Sequence, residues 1–412
     1  MRKYQKSRTN MIDEIPLDWE MSRLKMFSKI FSGGTPDKNK NVYWENGTIP
    51  WIASGEVNQE IIKEPTTLIT EEAFRNSSAK WIPKNSLVMA LAGQGRTKGT
   101  VALLGIETTC NQSLAAIVPK NINSKFTLYW LKSKYQEIRG LVGEDRDGLN
   151  LILVGNIPIP LPPKEEQHDI VRFLDYKTGQ IDSFIANRQK QIELLKEQKA
   201  AIINKAVTKG INPNAKMKNS GIEWIGEVPE HWMIIKLKYI AKIFNGQDQK
   251  NVLDENGQYP IFGSGGIFGY ANQFLYEGPS VLLGRKGTVD KPRLVTTPFW
   301  SVDTAYYTKI SNKVDVVFFY YLCSQINFDY YIYGSAIPSM TARDLNEIEF
   351  PLPEIGEQQQ ILEFIKTETS TIDTLISKYQ KQIDLMQEYR TSLISQAVTG
   401  KIDVRDWQPK KQ

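Results

Sequence analysis

The 412-residue chain has only two cysteines and two histidines. Cys110 and Cys323 stand at non-equivalent places in opposite halves, which excludes a disulfide framework and leaves buried free thiols as the expectation. With His168 and His231 as its only imidazoles, the chain has no spacing for a His/Cys zinc site or a Cys-His nucleophilic pair. No run of 18 or more apolar residues occurs, so no membrane-spanning helix is expected. Met1-Arg2-Lys3-Tyr4-Gln5 leads into charged and polar residues without the apolar core of a signal peptide, which points to the cytoplasm.

Cofactor and phosphate loops are missing as well. Lys98-Gly99-Thr100 has the wrong residue order for a Walker A loop, which needs Gly-Lys followed by Ser or Thr. No Gly-x-Gly-x-x-Gly leads from a strand into a helix, so a dinucleotide or adenosyl cofactor site has no support. No catalytic residue, metal site or cofactor is expected on this chain. The 41% hydrophobic content is ample for buried cores in two to four domains, and the net charge of +5 leans only weakly toward a polyanionic partner.

What the chain does have is itself, twice. Pro160 to Ile211 aligns without a gap on Pro351 to Ile402, at an offset of 351 − 160 = 191, with 22 of 52 positions identical. Upstream, Pro16, Trp19, Leu24, Lys25, Ile30, Phe31 and Gly33 align with Pro229, Trp232, Leu237, Lys238, Ile243, Phe244 and Gly246, at an offset of 229 − 16 = 213. Two such halves predict two similar surfaces related by a pseudo-twofold, suited to a partner that is itself twofold.

Within the stronger repeat, Ile181, Ile185, Ile192, Leu195, Ile202 and Ala206 follow alternating four- and three-residue steps, with Arg188 and Lys199 in the two vacant places. The second copy has Ile372, Ile376, Tyr379, Ile383, Met386, Arg390, Leu393 and Ala397. This heptad pattern predicts two long helices, over about 165–208 and 356–399, packed antiparallel as a coiled coil. The other segments hold short β-rich runs with Gly-rich turns, and short helices at about 125–139 and 313–328. The expected fold is α+β: two globular domains, 1–157 and 211–347, alternating with two long-helix segments, 158–210 and 348–412.

Chemistry is concentrated in the loops of the globular segments. Candidate contacts to a polyanion are Gly33, Thr35, Gln94, Arg96, Lys98 and Arg146 in the first, and Gln247, Ser264, Arg285, Lys286 and Ser335 in the second. Arg bonds guanine bidentately, Gln pairs with adenine, Lys and hydroxyls hold phosphates, and glycines admit close backbone approach. Gly99-Thr100-Val101 and Gly287-Thr288-Val289 are equivalent, each following a basic pair. Divergent loops on a repeated frame suit the reading of two different sequences.

The residues carry a resemblance. Pro160-Leu161-Pro162 through Glu166-Gln167-His168-Asp169-Ile170, repeated as Pro351-Leu352-Pro353 through Glu357-Gln358-Gln359-Gln360-Ile361, resembles the DNA-specificity subunit of Type I restriction-modification systems, as does the alternation with a variable unit along essentially the whole chain. Gly47-Thr48-Ile49-Pro50-Trp51-Ile52 and Gly284-Arg285-Lys286-Gly287-Thr288 also resemble that family. One departure is Glu354-Ile355-Gly356-Glu357 where the first copy has Pro163-Lys164-Glu165-Glu166. The resemblance implies that each variable unit is a target recognition domain for half of a split site in double-stranded DNA. It also implies that the helices space these domains and dock two modification (methyltransferase) subunits. S-adenosylmethionine would belong to those subunits, and ATP and magnesium to restriction subunits, while this chain neither methylates nor cleaves. The residues alone also admit a standalone two-headed DNA-binding protein, or a scaffold with no nucleic-acid role.

Overall fold

In the computed structural model, which describes residues 2–7, 9–93, 95–142, 148–331 and 338–409, the chain divides into two units. The first comprises residues 1–187 with 381–412, and the second 188–380. Each long helix therefore contributes one part to each unit. The first helix runs Lys164–Lys209 and the second Ile355–Val398, every end within one residue of the expectation. Both stop at glycines that supply left-handed backbone, Gly210 at φ 73° and Gly400 at φ 70°.

The first unit carries β1 (Tyr4–Lys6), β2 (Glu14–Pro16), β3 (Glu20–Arg23), β4 (Ser28–Ser32), β5 (Ile49–Ile52), β6 (Ile61–Ile62), β7 (Thr67–Ile69), β8 (Leu87–Ala90), β9 (Val101–Leu104), β10 (Thr109–Cys110), β11 (Leu114–Pro119) and β12 (Pro158–Leu161). Its central sheet has the order β4-β11-β8-β9-β6. Leu87, Met89, Ala115 and Ile117 join one buried cluster while Val88, Ala90, Leu114 and Ala116 join another. Strands covered on both faces read as continuous apolar runs, because successive side chains alternate between two cores. A smaller sheet, β10-β5-β7, stands beside it.

The second unit repeats this plan. It carries β13 (Met217–Asn219), β14 (Glu227–Pro229), β15 (Met233–Lys236), β16 (Ala241–Asn245), β17 (Tyr259–Gly263), β18 (Gly266–Ala271), β19 (Ser280–Gly284), β20 (Arg293–Val295), β21 (Trp300–Ser301), β22 (Ala305–Ile310) and β23 (Glu349–Leu352). The large sheet is β16-β22-β19-β20 and the small one β18-β17-β21. Pairing registers repeat at the sequence offsets. Tyr4 faces Pro16 as Met217 faces Pro229. Pro158 faces Arg23 as Glu349 faces Lys236.

The identities Glu166-Gln167 and Glu357-Gln358 fasten each helix start to its sheet domain. Glu166 accepts the indole N–H of buried Trp19 at 2.9 Å and Glu357 that of buried Trp232 at 3.0 Å. Gln167 accepts the Asn123 amide at 2.8 Å and donates to the Pro162 carbonyl at 2.9 Å. Gln358 does the same with the Asp315 amide at 2.8 Å and the Pro353 carbonyl at 2.9 Å. Asn123 and Asp315 also cap the short helices Ser124–Ser133 and Val316–Cys323. One amide side chain thus satisfies backbone groups that burial would otherwise leave unpaired.

The heptad stripe is the less exposed face of each helix. Its polar places are filled by matched ion pairs: Arg390 donates to Asp182 at 3.1 Å in the first unit, and Lys199 to Asp373 at 2.6 Å in the second. Arg390 and Lys199 are equivalent (199 + 191 = 390), as are Asp182 and Asp373 (182 + 191 = 373). In the second unit the Arg188 guanidinium lies over the Tyr379 ring at 4.6 Å, so rising numbers on the first helix meet falling numbers on the second. The helix parts there run in opposite directions.

Candidate nucleic-acid interface

Loops at one end of each large sheet are laced together by equivalent backbone hydrogen bonds. In the first unit these are Gly34 N to Cys110 O at 2.9 Å, Leu91 N to Ser113 O at 2.9 Å and Leu149 N to Leu91 O at 2.7 Å. Their counterparts are Gln247 N to Ser301 O at 2.8 Å, Arg285 N to Thr304 O at 2.9 Å and Met340 N to Arg285 O at 2.9 Å. Tryptophans add a further tie. Trp51 donates to Gly34 O and Trp300 to Gln247 O, both at 3.0 Å. Gly34 and Gln247 are equivalent (34 + 213 = 247), but the indoles come from different strands, β5 and β21, so the sequence offsets give no sign of this match.

Gly33 has an internal role. A Cβ there would lie 1.9 Å from the Cys110 carbonyl oxygen, and one at Gly246 would lie 2.1 Å from that of Val302. The close approach served by both glycines is to backbone at the end of a small-sheet strand, β10 or β21. Thr35 is half-buried and bonds Gln112, while Arg96 is exposed at the tip of the β8–β9 loop. The carbonyl of Arg96 accepts from Tyr135 Oη at 2.9 Å and Thr100 Oγ1 at 2.6 Å, which fixes the loop without engaging the guanidinium.

Lys98 is a correction: its side chain is packed inside the unit at 1% exposure and is not presented to a ligand. The basic pairs that precede the two Gly-Thr-Val runs do not occupy equivalent places. Leu91, not Arg96, shares the bonding pattern of Arg285, and ten residues (91–100) separate β8 from β9 where four (285–288) separate Gly284 from Val289. Gly99 and Gly287 share left-handed backbone, at φ 81° and 82°, but Gly99 N donates to Ala90 O and Gly287 N to Pro338 O, so the two turns are bonded differently.

In the second unit Ser264, Arg285, Lys286 and Thr304 converge. Ser264 N donates to Thr304 Oγ1 at 3.3 Å, and a Cβ on Gly287 would meet Ser264 Oγ at 3.3 Å. Arg285 donates one N–H to Asp303 O at 3.2 Å and lies 6.0 Å from the Tyr306 ring centre. Lys286 and Gln247 are exposed. Gln94, Arg146 and Ser335 lie outside the described residues.

Burial pushes the Cys110 thiol up to about 12 against the opposing bond from the Gly33 backbone, and burial also raises Cys323. Both thiols are thereby held in their unreactive form. Among the described residues no group of three or more His, Cys, Asp or Glu could hold a metal ion. Among them, too, no helix is long and apolar enough to cross a membrane.

Two sheets crowned by laced, cation-bearing loops, each bolted to a long helix, define a duplicated recognition scaffold. The family model for the Type I restriction modification DNA specificity domain matches residues 16–194 and 229–385, once per repeat, and the chain belongs to that family. The MjaVIII specificity subunit of a type I restriction enzyme from Methanocaldococcus jannaschii is 25% identical over 429 residues, covering 95% of both chains. The EcoR124I/EcoR124II specificity subunit of Escherichia coli is 32% identical over 186 residues, 43% of this chain and 46% of that one. A solved chain from a study of assembly and conformational transition in the type I restriction-modification system has the same fold. It superposes with a TM-score of 0.69 at 15% identity, covering 94% of this chain and 99% of its own.

Proposed function

We propose that this chain is the DNA-reading subunit of a type I restriction-modification complex, with each repeat reading one half of a bipartite target. The observation that carries this reading is that the family match and the laced loop face both occur twice. Arg96 and Thr35 would serve one half-site, and Gln247, Ser264, Arg285 and Lys286 the other. Arg285 spends one N–H on a carbonyl, and a guanidinium has five in a fixed fork, so an edge remains for the bidentate bond to guanine. Lys286 is a mobile point charge suited to phosphate.

The chain itself is non-catalytic in this reading. Two modification subunits dock on the helices and supply methyl transfer from S-adenosylmethionine, while restriction subunits bring ATP and magnesium, all in the cytoplasm. The test is methylation of target DNA with S-adenosylmethionine present. The chain alone is expected to transfer nothing, and the chain with its modification subunits to methylate a split motif; methyl transfer by the chain alone would contradict the reading.

A further inference from the structure

The repeats differ where the first long helix ends. In the second unit a cavity of about 430 Å³ is lined by Ile202, Ala206, Ile211, Met217 and Phe364, with Lys205, Lys209 and Glu368 among its polar lining residues. Phe364 is 39% exposed. The same place in the first unit is found by the offsets: Phe173 (364 − 191), Leu393 (202 + 191), Ala397 (206 + 191), Ile402 (211 + 191) and Tyr4 (217 − 213). There Phe173 is only 5% exposed, because Trp407 stands against it with ring centres 5.2 Å apart and planes at 86°. Trp407 also meets Tyr176 at 5.3 Å, and Arg172 donates to its carbonyl at 3.4 Å. The offset of 191 sets Lys216 against Trp407 (216 + 191 = 407), but Lys216 is exposed and its carbonyl accepts Glu230 N at 2.7 Å as that of Lys3 accepts Leu17 N at 3.0 Å, so no aromatic stands there. Val404, buried at 1%, is likewise replaced by exposed Pro213. One repeat carries its own aromatic plug, and the other has the seat without it.

We infer that the seat beside Phe364 receives an aromatic side chain from a partner polypeptide. Under the functional reading above, on which this rests, that partner is the modification subunit. Two features define the occupant's chemistry. A flat ring meets the exposed face of Phe364 as Trp407 meets Phe173, burying on the order of 150–250 Å² per aromatic. Two lysines against one glutamate favour an acidic segment around that ring. The segment that fills the other seat is acidic by one charge, with Asp403 and Asp406 beside Trp407 and Arg405 paired to Asp403. An aromatic anchor in an apolar pocket with a charged rim is the pattern of an interface centre.

The experiment measures binding of the modification subunit to the full chain by sedimentation, for wild type, Phe364→Ala and Lys216→Trp. Lys216→Trp places an indole between Ala215 and Met217, which both line the seat, and at an exposed position, so it keeps the test open where Phe364→Ala fails to fold. The expected result is a half-saturation concentration raised at least tenfold for one bound subunit in both variants, with the melting temperature of Lys216→Trp unchanged or raised. Folded variants that assemble as wild type overturn the inference. So does a wild-type chain that self-associates through Phe364, which would make a second copy the occupant. A wild-type chain that binds its split DNA site yet takes up no modification subunit would instead defeat the partner reading itself.

Discussion

The two units share a frame and differ in their loops. Pairing registers, the Trp-to-Glu bonds, the Gln brackets and the reciprocal ion pairs recur at fixed offsets. The loops do not: ten residues (91–100) separate β8 from β9 where eight (285–292) separate β19 from β20. The small sheet of the second unit is built on the tight hairpin of β17 and β18, with Ile267 53% and Phe268 54% exposed. In the first unit β7 reaches β5 only after a fourteen-residue excursion, residues 53–66. Residues that hold the frame are alike because burial and backbone satisfaction allow few substitutes, while exposed loop residues are under no such constraint and are free to differ.

The largest expected effect breaks one frame and spares the other. Gln358→Ala opens a cavity and leaves the Asp315 amide without its acceptor, costing the second unit about 4 kcal/mol. Gln167→Ala does likewise to the first. Hydrogen exchange should report the loss in the substituted unit; equal loss in both would mean that they do not unfold separately.

Next come the glycines under the loops. Gly33→Ala and Gly246→Ala each force two backbones apart, at about 2–3 kcal/mol. Each should weaken recognition of one half-site, measured by binding to DNA with that half scrambled. Undiminished discrimination by both variants would detach the glycine turns from recognition.

Smaller effects sharpen the comparison at single side chains. Arg285→Ala should cost roughly 1–3 kcal/mol of binding and relax one position, with Arg96→Ala acting on the other half-site. Lys286→Ala should weaken binding evenly and flatten the salt slope by about one. Salt titrations over half-site variants separate these outcomes, and two Arg variants that bind as wild type would make the loops ordinary turns.

The smallest effect concerns acid. Burial raises the Glu60 pKa, but bonding to Lys132 and the charge of Arg390 outweigh it and hold the group below 4.5. Glu347, bonded by Lys236 and Lys238, falls to about 2. A depressed folded value means that stabilisation is complete above about 4.5 and fades as pH falls through that value. Glu60→Gln should therefore flatten the acid dependence of the first unit by less than about 1 kcal/mol. Glu347→Gln should flatten that of the second between pH 4.5 and about 2, an exposed pair's effect that solvent largely screens. Unchanged acid profiles would show these pairs to be dispensable.

Much of the frame was legible. Heptad spacing and terminal glycines located both helices, because helix periodicity and stop signals are local. The offset of 213, carried by few identities, proved to be a register of strands. The loops were less legible. Nothing in the residues around Lys98 signals that it is buried. The longer loop after Ala90 hid the fact that Leu91 holds the place of Arg285, since bonds to Ser113 and Thr304 define that place and shared letters do not. Trp51 and Trp300 reach equivalent loops from different strands, a match no linear alignment contains.

The central claim is that one chain holds two separate reading units on one repeated frame. The most direct measurement is the methylated motif in DNA from cells carrying this chain with its modification subunits, compared between wild type and Arg285→Ala. The account predicts a split motif in the wild type and relaxed bases in only one half of it in the variant. A continuous motif, or relaxation in both halves, would contradict it.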